Sequence, residues 1–482
     1  MPRICLLFIV FAFLSFPRGW ATNLLPIDFR DAYETLDALP SSSYTTRTIW
    51  PYSCEKVLAL DSDKELPHVY RDMCAKRGVF AIRALELSGY YHNSSDAFSL
   101  VLDKEGQRLR EGVNAFFTMS LGGRFGSNLG YFLQARARYG PGAKEVELHR
   151  GYLDLKLGKF LFLAGKDNVK VGPSRFGGLL SGLTSPFWQV RVQTAEPLRF
   201  LGLWDLLAMR AWLLEDRRDH SDPGLLFFRV CFKPSRYLEF GVNRATLYGG
   251  KGRPGYALWE YPRLILGQEE NVPGSKYDND AFLGYDISVD LPLRPFDLFR
   301  LYYEKEATDV KTPLQKGEKF EFDLPFVVVK LYEGASTFGL LVKKAPFSFR
   351  GEVTLTKGTM YLHHAYPHEG FSYKGIPLGY PYGRDVLHIA AQIRYQRGED
   401  AIEVEMGFIE QPLKEDLEPV KELNRYYLGL SLEKRHGNFG VSPFLRVDLS
   451  KGENLSETPL HYELRDRERL IFTLGLRLSY FF

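Results

Sequence analysis

The chain closes on Leu470-Ile-Phe-Thr-Leu-Gly-Leu-Arg-Leu-Ser-Tyr-Phe-Phe482, and the reading of this stretch decides the fold. Phe472, Leu474, Leu476, Leu478, Tyr480 and Phe482 fall on one side, and Thr473, Gly475, Arg477 and Ser479 on the other. A period of two marks a β-strand with two unlike faces. The same pattern recurs upstream in 387–395, 402–408, 426–432 and 439–449, each with one apolar face and one charged or small face. A soluble sandwich also alternates, but its connections are short at both ends. Here tight connections at 397–400 and 435–438 alternate with long polar ones at 410–423 and 450–466. Short turns at one end and long loops at the other describe an outer-membrane barrel, in which every strand pairs and closure leaves no edge in lipid.

The rhythm continues toward the N-terminus. Turns near 345–346, 291–295, 234–235, 157–159 and 122–127 alternate with longer stretches at 309–325, 247–279, 214–223, 169–186 and 139–144. Counting back from a periplasmic C-terminus, the strand at Gly112 needs one more before it, expected around Ala97 to Leu102. The expectation is an all-β, transmembrane antiparallel outer-membrane β-barrel of about eighteen strands, with both termini in the periplasm. The last strand then sets Tyr480, Phe481 and Phe482 at the inner interface, and the other wall face puts Arg136, Asp154, Arg394, Glu403, Glu405 and Arg446 in the lumen. A strand ending in Phe resembles the signal read by the outer-membrane barrel-assembly machinery.

The totals agree. Aromatics make up 15% of 482 residues, as suits girdles at two membrane surfaces, and a formal net charge of +3 points to no nucleic acid. Arg3, the apolar run Ile4 to Phe16 and Gly19-Trp-Ala21 read as a secretory signal peptide over 1–21. Residues 22–90 differ from the rest: Phe29, Tyr33, Leu36 and Leu39 recur at helical spacing, with further helices expected at 54–60 and 66–77. They read as a small helical unit at the periplasmic mouth, ahead of a barrel over 91–482. Cys54 and Cys74 either form a disulfide or stay as buried thiols, and Cys231 has no evident partner.

Several blocks carry a family resemblance: Tyr33-x-x-Leu36-x-x-Leu39 with Thr48-x-Trp50-Pro51, Val171-Gly-Pro-Ser174 with Gly177-Gly-Leu-Leu-Ser181, Leu238-Glu-Phe-Gly241-Val-Asn-Arg244, Gly249-Gly250-x-Gly252-Arg-Pro254, and Tyr366-x-x-Glu369-Gly-Phe-x-Tyr-x-Gly375-x-Pro-Leu-Gly379-Tyr. In this order and spacing the chain resembles the capsule-assembly outer-membrane proteins, the Wzi-like family. The resemblance implies an eighteen-stranded barrel with a periplasmic helical bundle. It also implies a lectin-like, non-enzymatic role in which the barrel binds and retains capsular or related surface polysaccharide. One departure is Val171, where the family usually carries a Trp, and it bears on local glycan contacts.

The alternation of turns and loops makes 362–384 an extracellular loop rich in rings and polar groups. Sugars offer C–H faces to aromatic rings and hydroxyls to carboxylates and imidazoles. The expected carbohydrate-binding residues are therefore His363, His364, Tyr366, Glu369, Tyr373, Tyr380, Tyr382 and Asp385, with Arg253 of the preceding loop for acidic sugars. A loop of this length also needs a core of its own, which the same rings would supply. His363, His364 and His368 have no carboxylate or cysteine at metal spacing, so neither metal nor cofactor is expected. Gly172-Pro-Ser-Arg-Phe-Gly177 is not a nucleophile elbow, and no catalytic constellation stands out. The competing expectation is a diffusion porin for small solutes or saccharides. The expected partners are surface polysaccharide, outer-membrane lipid and the barrel-assembly machinery.

Overall fold

A computed structural model describes residues 23–25, 30–38, 46–60, 68–75, 81–94, 108–308, 334–411 and 422–482, apart from 127, 268, 270, 271, 359, 457 and 462. The signal peptide, the strand expected at 97–102 and the loop segment 309–325 lie outside the described residues.

Eighteen long strands make the wall among the described residues. The first six are β1 (Ala81–His92), β2 (Gly112–Phe125), β3 (Leu129–Gly140), β4 (Ala143–Leu157), β5 (Phe160–Asp167) and β6 (Phe187–Thr194). Then come β7 (Leu203–Trp212), β8 (Gly224–Ser235), β9 (Leu238–Tyr248), β10 (Asp280–Asp290), β11 (Leu298–Thr308) and β12 (Gly334–Lys344). The last six are β13 (Phe347–Lys357), β14 (Val386–Arg397), β15 (Asp400–Gln411), β16 (Leu423–His436), β17 (Phe439–Asn454) and β18 (Leu464–Phe481). Each pairs antiparallel with its neighbours in sequence, and β1 closes the ring on β18, with Leu87 opposite Leu478. Closure therefore runs through 81–92, about ten residues before the boundary expected at residue 91. A bulge between Ile82 and Ala84 breaks the two-residue period there, and an outward Gly89 with an inward Tyr90 weakens it further along, which hides the strand in the sequence.

Connections at one end, the turn end, are short, such as 158–159, 345–346 and 437–438. Those at the loop end include 168–186, 249–279 and 358–385. Burial alternates along the strands with apolar residues outward. Leu87, Phe117, Leu153, Leu428, Leu449, Leu474 and Leu476 are exposed, while Arg136, Asp154, Arg229 and Arg394 are buried facing in. A soluble protein would have this reversed; an outward apolar band is stable only in hydrocarbon.

The N-terminal unit does more than sit at a mouth. Helices α1 (Arg30–Asp37), α2 (Cys54–Leu60) and α3 (His68–Ala75) pack Tyr33, Leu36, Val57 and Tyr70 with Trp50, and the Cys54–Cys74 disulfide joins α2 to α3. Phe481 turns inward against Tyr70, with ring centroids 5.6 Å apart, instead of facing the interface. The chain at 46–53 enters the lumen, where Ile49-Trp50 forms a two-stranded ladder with Lys170-Val171. Loop 168–186 has thus folded down inside the barrel to meet it. Val171 is fully buried opposite Ile49, a position for packing and not for glycan.

Ion pairs weld the two insertions to the wall. Arg175 reaches Glu403 and Glu405 on β15 at 3.1 Å each and Glu34 on α1 at 3.8 Å. Arg350 holds Asp37 at 2.8 Å, Arg300 reaches the same carboxylate at 3.8 Å, and Lys56 pairs with Asp205. Thr48 donates to Glu239 at 2.9 Å, and Cys231, which is in no disulfide, donates to the same carboxylate at 3.1 Å. Charges buried this deeply are tolerable only when paired and hydrogen-bonded.

Candidate surface site at the loop end

Loops 213–223, 249–279, 358–385 and 455–463 lock together into one cap over the filled lumen. Asp219 accepts from the backbone N–H groups of His368 (2.9 Å) and Glu369 (2.7 Å), and Glu369 accepts in return from Arg218 and Asp219 at 3.2 Å each. Arg217 donates to the carbonyls of Gly370 (3.0 Å) and Ser372, and Arg384 to that of Leu460 at 2.8 Å. Gly370 has φ +55°, and a Cβ there would lie 2.0 Å from the Tyr361 carbonyl, so the chain can double back only with glycine.

The expected site residues divide into two groups. Tyr366, Tyr373, Tyr380 and Tyr382 are almost fully buried. With Tyr361 and Phe371 they form the core of the cap, packed on Phe176, Leu179 and Leu180 of loop 168–186. Tyr366 donates to the Gly249 carbonyl at 2.9 Å, and Tyr380 stands 5.7 Å from Tyr382. These rings present no face on which a sugar could stack. The physical reason is that a 28-residue connection (358–385) must bury something apolar to hold a shape, and its rings are what it has. His363 is buried with them. The remaining four, His364, Glu369, Asp385 and Arg253, keep partial or full access to solvent.

Asp278 is a neighbour the sequence did not reveal. It brings its carboxylate to within 3.0 Å of His364 Nε2, and Arg253 donates to its backbone carbonyl while lying over the Tyr366 ring at 5.3 Å. Burial raises the Asp278 carboxyl above its usual range, against the pull of His364 and Arg253. Burial, with His364 and Arg253 adding to it, lowers the His363 imidazole to about 3, so it is neutral at any ordinary pH.

A second feature missed by the sequence lies in loop 249–279. Leu258 and Trp259 stand 72% and 82% exposed, and Arg263, also exposed, donates to the Tyr277 hydroxyl at 3.3 Å. Glu260 holds the turn that presents them. It pairs with Lys276 at 2.7 Å and accepts from Tyr277 at 2.8 Å, and Lys276, the Ala257 N–H and Tyr277 together lower its carboxyl to about 2. A tryptophan in a polar, Gly- and Pro-rich loop was the available signal.

Comparison with known proteins follows this geometry. The solved structure of Wzi from Escherichia coli, described as an outer-membrane protein involved in group 1 capsule assembly and a carbohydrate-binding β-barrel, superposes with a TM-score of 0.70. It covers 96% of this chain and 100% of that one at 15% identity, which establishes the fold. OprD from Pseudomonas aeruginosa matches 84% of this chain and 96% of that one at 9% identity, with a TM-score of 0.48, too low to argue from. Serum amyloid P-component from Sus scrofa is 30% identical over 142 residues, 28% of this chain, and the chain spans only 51% of that relative's length. The family profile described as capsule assembly protein Wzi matches residues 91–433. That span is well over half of the sequence, and with the closed eighteen-stranded wall it places this outer-membrane β-barrel in the capsule assembly protein Wzi family.

Proposed function

We propose that this chain is a non-enzymatic, lectin-like barrel whose loop end faces the cell exterior and holds capsular or related surface polysaccharide on the outer membrane. With the loop end outward, both termini lie on the periplasmic side. The observation that carries the reading is the filled lumen. Strand 49–50 and loop 168–186 meet inside the wall, and Arg175 ties that loop to β15 and to helix α1. A barrel packed in this way is a rigid pedestal, which leaves its outer rim to do the binding. On that rim Arg253, His364, Glu369 and Asp385 supply polar groups, and loop 249–279 adds the exposed Trp259 ring and the exposed Arg263 cation, groups suited to acidic sugars. His363, Tyr366, Tyr373, Tyr380 and Tyr382 serve as the frame that fixes those groups.

Retention of cell-attached polysaccharide in a deletion strain, complemented with wild type or with Trp259→Ala/Arg263→Ala, tests this. The deletion should shed polysaccharide into the medium while synthesis continues, and the double variant should restore attachment poorly. Unchanged attachment in the deletion strain overturns the proposal. Planar bilayers address the porin: a large, steady conductance by the purified chain would favour a diffusion channel.

A further inference from the structure

We infer that Asp278, His363 and His364 form a binding site for one divalent transition-metal ion that clamps loop 249–279 to loop 358–385. One ligand-capable atom from each lies within 4.8 Å of the others, a span that a single ion can bridge. The donors come from two loops more than eighty residues apart in sequence, so no local spacing announces the set.

The arrangement resembles ligands aimed at a common point more than it resembles a hydrogen-bonded pair. Asp278 Oδ1 is buried and accepts no hydrogen bond of acceptable geometry, although His364 Nε2 is only 3.0 Å away. A nitrogen and an oxygen at that separation, misaligned for a shared proton, suit two lone pairs that converge on a third atom. The imidazoles of His363 and His364 stand with centroids 3.9 Å apart, held by a turn in which the Tyr366 N–H donates to the His363 carbonyl at 2.8 Å. Arg253 directs its charge to the backbone carbonyl of Asp278 and lies 3.9 Å from Oδ2, which leaves Oδ1 turned toward the imidazoles.

The donor set selects the ion. Two imidazoles and one carboxylate suit zinc, copper or nickel, whereas calcium and magnesium ask for more oxygens. Three protein donors leave a fourth position for water. Two features moderate the affinity: the neighbouring Arg253 cation, and the Ala365 N–H that donates to His363 Nδ1 at 3.1 Å and must give way if that nitrogen ligates. The site should therefore bind more weakly than a structural zinc centre.

The test is calorimetric titration of zinc into the purified, full-length barrel in detergent, carrying no polyhistidine tag, with cobalt(II) absorption spectra to report the ligand field. We expect one equivalent per chain. His364→Ala and Asp278→Asn each remove a direct ligand, so each should weaken binding beyond the roughly 10- to 100-fold that loss of an outer-shell partner costs. His461→Ala, elsewhere on the cap, should bind as wild type. His364 is exposed, so its replacement leaves the fold intact, and heat-modified gel mobility verifies this for every variant. No zinc uptake by the wild type, or uptake unaltered in both His364→Ala and Asp278→Asn, overturns the inference.

Discussion

Arg175→Met removes the cation on which the lumen packing converges. The native guanidinium faces Glu403 and Glu405 at 3.1 Å each and Glu34 at 3.8 Å, and all four side chains are no more than 15% exposed. Two of these carboxylates keep another partner: Glu34 has Arg350 at 3.6 Å, and Glu403 has Arg394 at 3.3 Å. The damage therefore concentrates on Glu405. Breaking a buried pair by deleting one partner costs about 3–5 kcal/mol, most of it from the stranded charge. With two of three carboxylates still compensated, the lower end, about 3 kcal/mol, is expected. If the stranded charge is the cause, adding Glu405→Gln to Arg175→Met should recover at least half of the loss. Urea unfolding of the detergent-solubilised barrel, followed by β-sheet circular dichroism, measures both variants. Single-channel recording on the same protein should show brief openings absent from the wild type, because the charge removed also anchors loop 168–186. Stability within about 0.5 kcal/mol of wild type, the range of a neutral surface change, would refute the reasoning. So would a double variant weaker than the single.

Leu476→Arg puts a charge on the lipid face of β18 and should cost ~2–4 kcal/mol in refolding into bilayers, whereas Arg477→Leu on the inner face should be milder; equal costs would invert the facing. Opening the Cys54–Cys74 link by Cys74→Ser frees a 20-residue loop and should destabilise the helical unit by roughly 3 kcal/mol, seen as faster proteolysis between α2 and α3. Acidification should loosen the cap. The folded state holds His363 at about 3, far below its ordinary value, so between about pH 6.5 and 3 the open form binds the extra proton. Local stability then falls by up to ~1.4 kcal/mol per pH unit, partly offset by Asp278, whose raised carboxyl takes up its proton earlier when folded. Of the groups facing His363, His364 and Arg253 are the cations that oppose its charging and Asp278 is the anion. Hydrogen-exchange protection of the 360–366 amides, corrected for intrinsic rates, should drop between about pH 7 and pH 5.

The wall was legible because its physics is local. Hydrocarbon on one side and a packed lumen on the other force a two-residue period, and a strand such as β18 displays it whole. β1 escapes that reading because its bulge at Ile82–Ala84, an outward Gly89 and an inward Tyr90 blunt the period. The filling of the lumen was not legible. Ile49 meets Val171, and Glu34 meets Arg175, only through pairings across more than a hundred residues. The cap failed in another way. Composition says that 362–384 is rich in rings, but not whether a ring faces sugar or its own loop. In this cap the tyrosines are inside and the accessible ring is Trp259, one loop earlier.

The reversal of inside and outside sets how such a sequence can drift. Lipid is a fluid without shape, so Leu153, Leu428 or Leu449 can become Val, Ile or Phe with little consequence, and a relative could exchange nearly all of its outward residues and keep its strands. Arg229 with Asp286, or Lys56 with Asp205, can change only as couples, because either half alone strands a charge. Half of the wall is thus free to wander and half is locked in pairs. Two barrels of this design can agree along their whole length while few letters match, and the shared signature should be sought in charge couples across the lumen.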